Sequence, residues 1–283
     1  MTTNSWRARS LKAVLRDTLK RAKVSGREAS KRLGVSPMRV SRWLDNNEPA
    51  PSAADVSRLL TAIEVTGQEY DRIVAMAEST GNDWLVSGPS GINPQLASVI
   101  ECERDARRIT DCAPNVMPGL LQIRGYAQAV IARSEALTDY ELETRVLMRI
   151  GRAEAVTRRR DPVEFIGLVG MPAIRGGIGG PKVMADQLAH VAEMGQLDNV
   201  TIQAVDLAGP WNAAHAGAFV IYEFDDLPTT VYLEHQFSGA FLVEAADVAA
   251  YQASAEALRR EAMSPEETAE LIASVIPGET ETE

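Results

Sequence analysis

Cysteine is nearly absent from this chain, Cys102 and Cys112 being the only two in 283 residues. Both fall in a stretch that reads as one helix, where ten positions set them roughly 15 Å apart, too far for a disulfide. Histidine is as scarce: His190, His215 and His235 show no ligand spacing, so no metal site is expected. No run of about 18 apolar residues occurs, and the opening MTTNSWRARS lacks the apolar core of a secretion signal, so the expectation is a cytoplasmic protein without a membrane span. Catalytic signatures are missing as well. There is no nucleophile elbow or triad spacing, and GGIGGP at 176–181 has neither a Gly-Lys-Ser/Thr ending nor a complete GxGxxG, so that loop reads as a plain turn. Neither an enzyme nor a cofactor is expected.

What the chain does have is charge divided along its length. Residues 1–47 carry twelve Lys or Arg against three Asp or Glu, a net +9; residues 48–81 carry −4, and the remainder −15. A basic head on an acidic body is the electrostatic footprint of a small DNA-binding domain joined to a sensory or assembly domain.

Within the head, SGREASKRLGVSPMRVSRWLD (Ser25 to Asp45) has the layout of two short helices joined by a tight turn. Ser25 caps the first, Gly34 allows the left-handed backbone that the turn needs, and Ser36 caps the second with Pro37 at its first position. On the second helix Val40, Trp43 and Leu44 share a face, Met38, Ser41 and Arg42 point the other way, and Arg39 lies on the flank. Outward arginine and serine are what reading base edges and gripping phosphate require; an amphipathic hairpin with a solvated basic face is the plainer alternative. Before it, Leu11, Val14, Leu15, Thr18, Leu19 and Ala22 follow a helical period. After it, Ser52 with Asp55 and Thr66 with Glu69 open two more helices. Together these predict a compact five-helix head over 1–77.

The segment from Ser25 through Pro51, ending GVSPMRVSRWLDNNEPAP, resembles the XRE (lambda-repressor-like) helix-turn-helix domain. That resemblance implies recognition of a double-stranded DNA operator. The expected DNA-binding residues are Arg27, Lys31, Arg32, Ser36, Pro37, Met38, Arg39, Ser41 and Arg42, with Lys12 as a further phosphate contact. Ser30, and Trp43 to Asp45, depart from the usual pattern.

Residues 78–93 (ESTGNDWLVSGPSGIN) read as a linker, or as a loop packed on the body through Trp84 and Leu85. A helix is expected from Pro94 to Thr110 with Glu103 and Arg107 paired at i, i+4, then a short helix at Pro118-Gly119, another from Tyr126, and a long one over 139–160. The run Arg158-Arg159-Arg160 reads as its solvated end, with a second phosphate contact as the alternative. Strands are expected at 163–169, 200–205, 217–224 and 229–234, the last two forming a hairpin, with helices at 182–195, 245–262 and 265–276. The body over 94–276 is thus predicted as α+β, a small sheet surrounded by helices, followed by a disordered acidic tail at 277–283.

Pro118, Gly119, Leu120, Leu121 and Gln122 followed by Tyr126-Ala127, the pair Arg149 and Arg152, VMADQLAHV from Val183 and VYLEH from Val231 resemble an uncharacterised C-terminal domain found with XRE heads in actinobacterial regulators of the WhiJ type. Gly170 stands where such domains commonly have a Glu. The combined resemblance implies a homodimeric transcriptional regulator whose body dimerises and senses a small-molecule effector or a small acidic partner protein. An antitoxin-like interaction protein acting chiefly through that partner is the alternative it also implies. If the body holds a ligand, Trp211, His215, Tyr222 and Glu234 are the candidate lining.

Overall fold

The computed structural model describes residues 6–45, 48–79, 94–134, 137–235 and 238–276. The expected linker lies outside them from residue 80 onward, as does the acidic tail. The chain is mostly helical with a six-stranded mixed sheet, an α+β layout. It divides into two compact units, Met1–Glu101 with Asp226–Thr230, and Cys102–Asp225 with Val231–Glu283.

The first unit holds helices α1 (Trp6–Arg21), α2 (Gly26–Leu33), α3 (Pro37–Leu44), α4 (Ala53–Ala62) and α5 (Gly67–Ser79). Side-chain caps start three of them, because Ser25, Ser36 and Ser52 each accept a hydrogen bond from the amide three residues on. Gly34 ends α2 at φ 68°, where a Cβ would be strained. Leu11, Leu15, Val40, Trp43, Val56, Leu59, Leu60 and Ile73 meet in one core. Burying each of these side chains stabilises the unit by about 1.5–3 kcal/mol before chain entropy is subtracted.

Helix α6 (Pro94–Asp105) begins in the first unit and ends in the second, which continues with β1 (Arg108–Ala113), a 3-10 turn at Gly119–Leu121, α7 (Arg124–Ser134), α8 (Asp139–Gly151), α9 (Glu154–Thr157) and β2 (Glu164–Gly170). Then follow α10 (Met171–Arg175), α11 (Pro181–Met194), β3 (Val200–Val205), a 3-10 turn at Ala213–Ala216, β4 (Phe219–Glu223), β5 (Thr230–His235), β6 (Ser238–Leu242), α12 (Ala245–Glu261) and α13 (Pro265–Val275). The sheet order is β3-β2-β1-β4-β5-β6, parallel from β3 through β1 and antiparallel where β1 meets β4 and β5 meets β6.

Two strands differ from expectation. The helix expected through Thr110 stops at Asp105, and Arg108–Ala113 instead pairs with β2 on one side and β4 on the other. Two flanking ladders outweigh the helical period of the preceding residues. Cys102 and Cys112 therefore do not share a helix; both are buried free thiols, and burial pushes that of Cys112 up to about 12. Ser238–Leu242, for which the sequence predicts no element, forms β6. The helix expected over 139–160 breaks after Gly151, and Arg158 turns its guanidinium back to the carbonyls of Asp161 and Arg104 at 2.8 and 3.0 Å.

Register and strand alternation divide the sheet residues between two faces. Thr110, Cys112, Ile166, Leu168, Phe219, Ile221 and Val231 lie on one side, most of them in a core completed by Val248, Ala255 and Leu258 of α12. Ile109, Asp111, Phe165, Gly167 and Tyr222 lie on the other, as do Tyr232 and Glu234, which alternate with Val231 and Leu233 of the α12-side core. The recurring motifs meet near this second face: Gln187 of α11 accepts from the Ile123 amide (2.9 Å) and donates to the Leu121 carbonyl (2.7 Å), fastening the Gly119–Leu121 turn.

Candidate functional site

Two surfaces carry functional groups, one in each unit. On the first unit, α3 buries Val40 and Trp43 and turns Met38, Ser41 and Arg42 outward; Met38 is 65% exposed, unusual for a large apolar side chain. Beside them an open groove is lined by Gly26, Arg27, Pro37, Ser41, Leu44 and Asp45, running between the start of α2 and α3. Gly26, Leu44 and Asp45 were not among the expected residues. The signal for Gly26 is its place next to the Ser25 cap, where the first helical amides have no intrahelical partner.

The cations of this surface fall into three sets. Arg27 and Lys31 are exposed, and no described residue bonds to either side chain. Arg32 bonds to Glu28 at 3.3 Å and to the Ala62 carbonyl at 3.4 Å, while Arg39 pairs with Asp55 at 3.0 Å and lies 5.3 Å from the centre of the Trp43 ring. Arg42 reaches Glu48 only at 4.0 Å. The hydroxyl of Ser36 is occupied as the helix cap, so Ser36 and Pro37 act here through the backbone geometry they set.

Lys12 is a correction. Expected to hold phosphate, it is 0% exposed, and its ammonium donates to the Glu48 carbonyl. Burial pushes its pKa down, with Arg16 and Arg9 adding to the effect and Asp45 and Glu48 opposing it. Arg16 beside it donates to the Leu44 carbonyl at 2.6 Å. Both cations are tied to backbone carbonyls at and just beyond the end of α3, at Leu44 and Glu48.

The four residues expected to line a ligand pocket in the second unit do not come together. Trp211 is 77% exposed, and His215 is held within its own loop: Nδ1 accepts from the Asn212 amide (3.1 Å) and Nε2 donates to the Leu207 carbonyl (3.2 Å). Ala214, next to His215, packs into the core on the α12 side of the sheet. Tyr222 and Glu234 lie on the opposite face.

Around Tyr222 and Glu234 the structure gathers groups that the sequence did not connect. Arg152, which caps the end of α8, grips Glu103 of α6 with Nε to Oε2 at 2.8 Å and Nη2 to Oε1 at 2.5 Å. Glu103 was expected to pair with Arg107, but the helix ends between them and Arg107 pairs with Asp225 at 3.2 Å. Arg149 donates to Gln122 Oε1 at 3.2 Å, and both arginines lie over Gly119, where a Cβ would come within 3.1 Å of Arg152 and 3.6 Å of Arg149. Burial, together with Glu234 and Glu103, pushes the Asp111 carboxyl up to about 7 against the opposing pull of Arg152 and Arg149. Burial first and Glu234 second push the Tyr232 hydroxyl up to about 12, and that of Tyr222 also rises well above its ordinary value.

Residues 96–274 match the family model described as a domain of unknown function (DUF5753). No curated protein and no solved structure matches the chain. No described helix is long and apolar enough to cross a membrane.

Proposed function

The chain belongs to the family of proteins that carry the domain of unknown function DUF5753, and from that premise we propose that it is a sequence-specific DNA-binding transcriptional regulator read out by its first unit. The observation that carries the proposal is the outward set Met38, Ser41 and Arg42 on α3 beside the groove that α3 shares with the start of α2. In this reading α2, the Gly34 turn and α3 form a helix-turn-helix, with α3 entering the major groove. Arg42 pairs with a base edge or with phosphate, Ser41 bonds to either, and the exposed methyl of Met38 packs on thymine. Arg27, Lys31 and the free amides at the start of α2 hold phosphate, since a helix N-terminus attracts anions. Arg32 and Arg39 contribute from tethered positions. The +9 charge of residues 1–47 supports this assignment, as does the resemblance of Ser25 to Pro51 to lambda-repressor-like domains. The second unit takes the role of dimerising and sensing an effector.

A nuclease footprint of the full chain on the DNA upstream of its own coding region tests the proposal. A dimeric regulator protects two half-sites centred about 10 base pairs, or a multiple of that, apart. Affinity for that DNA no greater than for random sequence would remove the proposal.

A further inference from the structure

Three carboxyls, Glu103, Asp111 and Glu234, and two guanidiniums, Arg149 and Arg152, share one side of the sheet in the second unit. Glu103 and Arg152 neutralise each other, and Arg149 spends a donor on Gln122. That leaves Asp111, Glu234 and the hydroxyls of Tyr222 and Tyr232 with no hydrogen-bond partner among the described residues. Tyr222 and Tyr232 are 1% and 6% exposed, whereas Asp111 is half-buried and Glu234 exposed, so the set reaches from the protein interior to solvent. Tyr232 lies across Gly239, where even a Cβ would come within 2.5 Å of its hydroxyl oxygen, so glycine keeps that ring in place.

The unpartnered set is thus two carboxylates and two phenols. It has acceptors in excess and lacks one positive charge. A hydrated divalent metal is a poor fit, because no group of three or more His, Cys, Asp or Glu among the described residues is placed to hold one. An ammonium group fits, since it brings three donors and one positive charge to a set with more acceptor oxygens than donors. The spare N–H groups of Arg149 then suit an acceptor at the far end of the same molecule.

We propose that the sheet face bearing Asp111, Tyr222, Tyr232 and Glu234 is a binding site for a small primary amine, held by its ammonium group, with Arg149 taking a carboxylate or carbonyl at its other end. Binding brings a cation beside a carboxyl that is half protonated near neutrality, so Asp111 ionises and up to about half a proton per amine leaves at pH 7. The inference stands apart from DNA recognition, because its readout is ligand binding itself.

The test is thermal melting and calorimetry of the full chain with 4-aminobutyrate and n-butylammonium, against butyrate and magnesium ion as the anionic and metal arms. At tenfold above half-saturation the amines raise Tm by about 3–5 °C, with 4-aminobutyrate binding more tightly. Binding enthalpy at pH 7 changes with the ionisation enthalpy of the buffer, reporting the released proton. Asp111→Asn abolishes that buffer dependence. Tyr232→Phe, which removes one oxygen from a chain that keeps its fold, weakens amine binding several-fold. The proposal is overturned if neither amine shifts Tm, if butyrate or magnesium does so instead, or if both variants bind the amines as the parent does.

Discussion

Arg152 and Glu103 join α8 to α6 through two parallel hydrogen bonds, with the two side chains only 12% and 5% exposed. A guanidinium so enclosed depends on its carboxylate. Glu103→Leu is expected to destabilise the second unit by about 3–5 kcal/mol, because it leaves a buried charge unpaired. Pairing it with Arg152→Met restores most of that loss, since an apolar pair needs no compensation. Urea unfolding of the four combinations measures the coupling. A cost under about 1 kcal/mol for the single substitution would mean that the pair is effectively solvated.

Asp111 makes stability depend on pH in the opposite sense to an ordinary paired carboxylate. Its folded pKa of about 7 lies above the roughly 3.9 of an unfolded aspartate, so the folded chain holds a proton that the unfolded chain has released. Stability contributed by that proton is full below about pH 4 and is lost as the pH climbs to about 7. Glu234 and Glu103 oppose ionisation, while Arg152 and Arg149 favour it. Asp111→Asn removes this dependence, so its urea midpoint should gain on that of the parent as the pH is raised from 5 to 8. A constant difference across that range would mean that Asp111 titrates normally.

The head was legible because its signals are local. Ser25, Ser36 and Ser52 cap the helices they were expected to cap, and Gly34 takes the left-handed turn, each decided by residues within one helical turn. The burial of Lys12 was not legible, since its partner carbonyl at Glu48 lies 36 residues away. In the body, Asp111 was hidden by a helical reading of the segment that became β1, whose partners β2 and β4 come from distant parts of the chain. Tyr222 and Glu234 were found but joined to Trp211 and His215, because the side of the sheet on which the Ala213–Ala216 turn packs is a tertiary fact. Arg149 and Arg152 stood out only as matches to related domains; their meeting over Gly119 depends on the 3-10 turn.

Arg42 and Lys12 should separate in binding experiments, although both were expected on the DNA side. Arg42→Ala is expected to weaken operator binding by about 1–3 kcal/mol and relax sequence preference, whereas equal loss on random DNA would place Arg42 on phosphate. Arg27→Ala lowers the slope of log affinity against log salt by about 1. Lys12→Met leaves that slope unchanged, because its ammonium never reaches the surface. A fall in slope for Lys12→Met equal to that for Arg27→Ala would contradict the inward placement of Lys12.

Gly170 closes β2 under a constraint that has nothing to do with backbone freedom. Its φ of −65° is open to any residue, yet a Cβ there would sit 2.1 Å from the carbonyl oxygen of Pro114 and 2.8 Å from its carbon. The obstacle is backbone, so no rotamer relieves it, and the acid expected of related domains at this position has no room. Gly170→Ala is therefore expected to cost about 3 kcal/mol or more through displacement of the Pro114 segment that follows β1. Gly177→Ala supplies the control, since nothing lies within 4 Å of its Cβ position and its φ is not positive. That substitution should stay within about 0.5 kcal/mol of the parent or gain slightly from a less flexible unfolded chain. Equal unfolding midpoints for the two variants would show that β1 and β2 approach less closely at Pro114 than the structure places them.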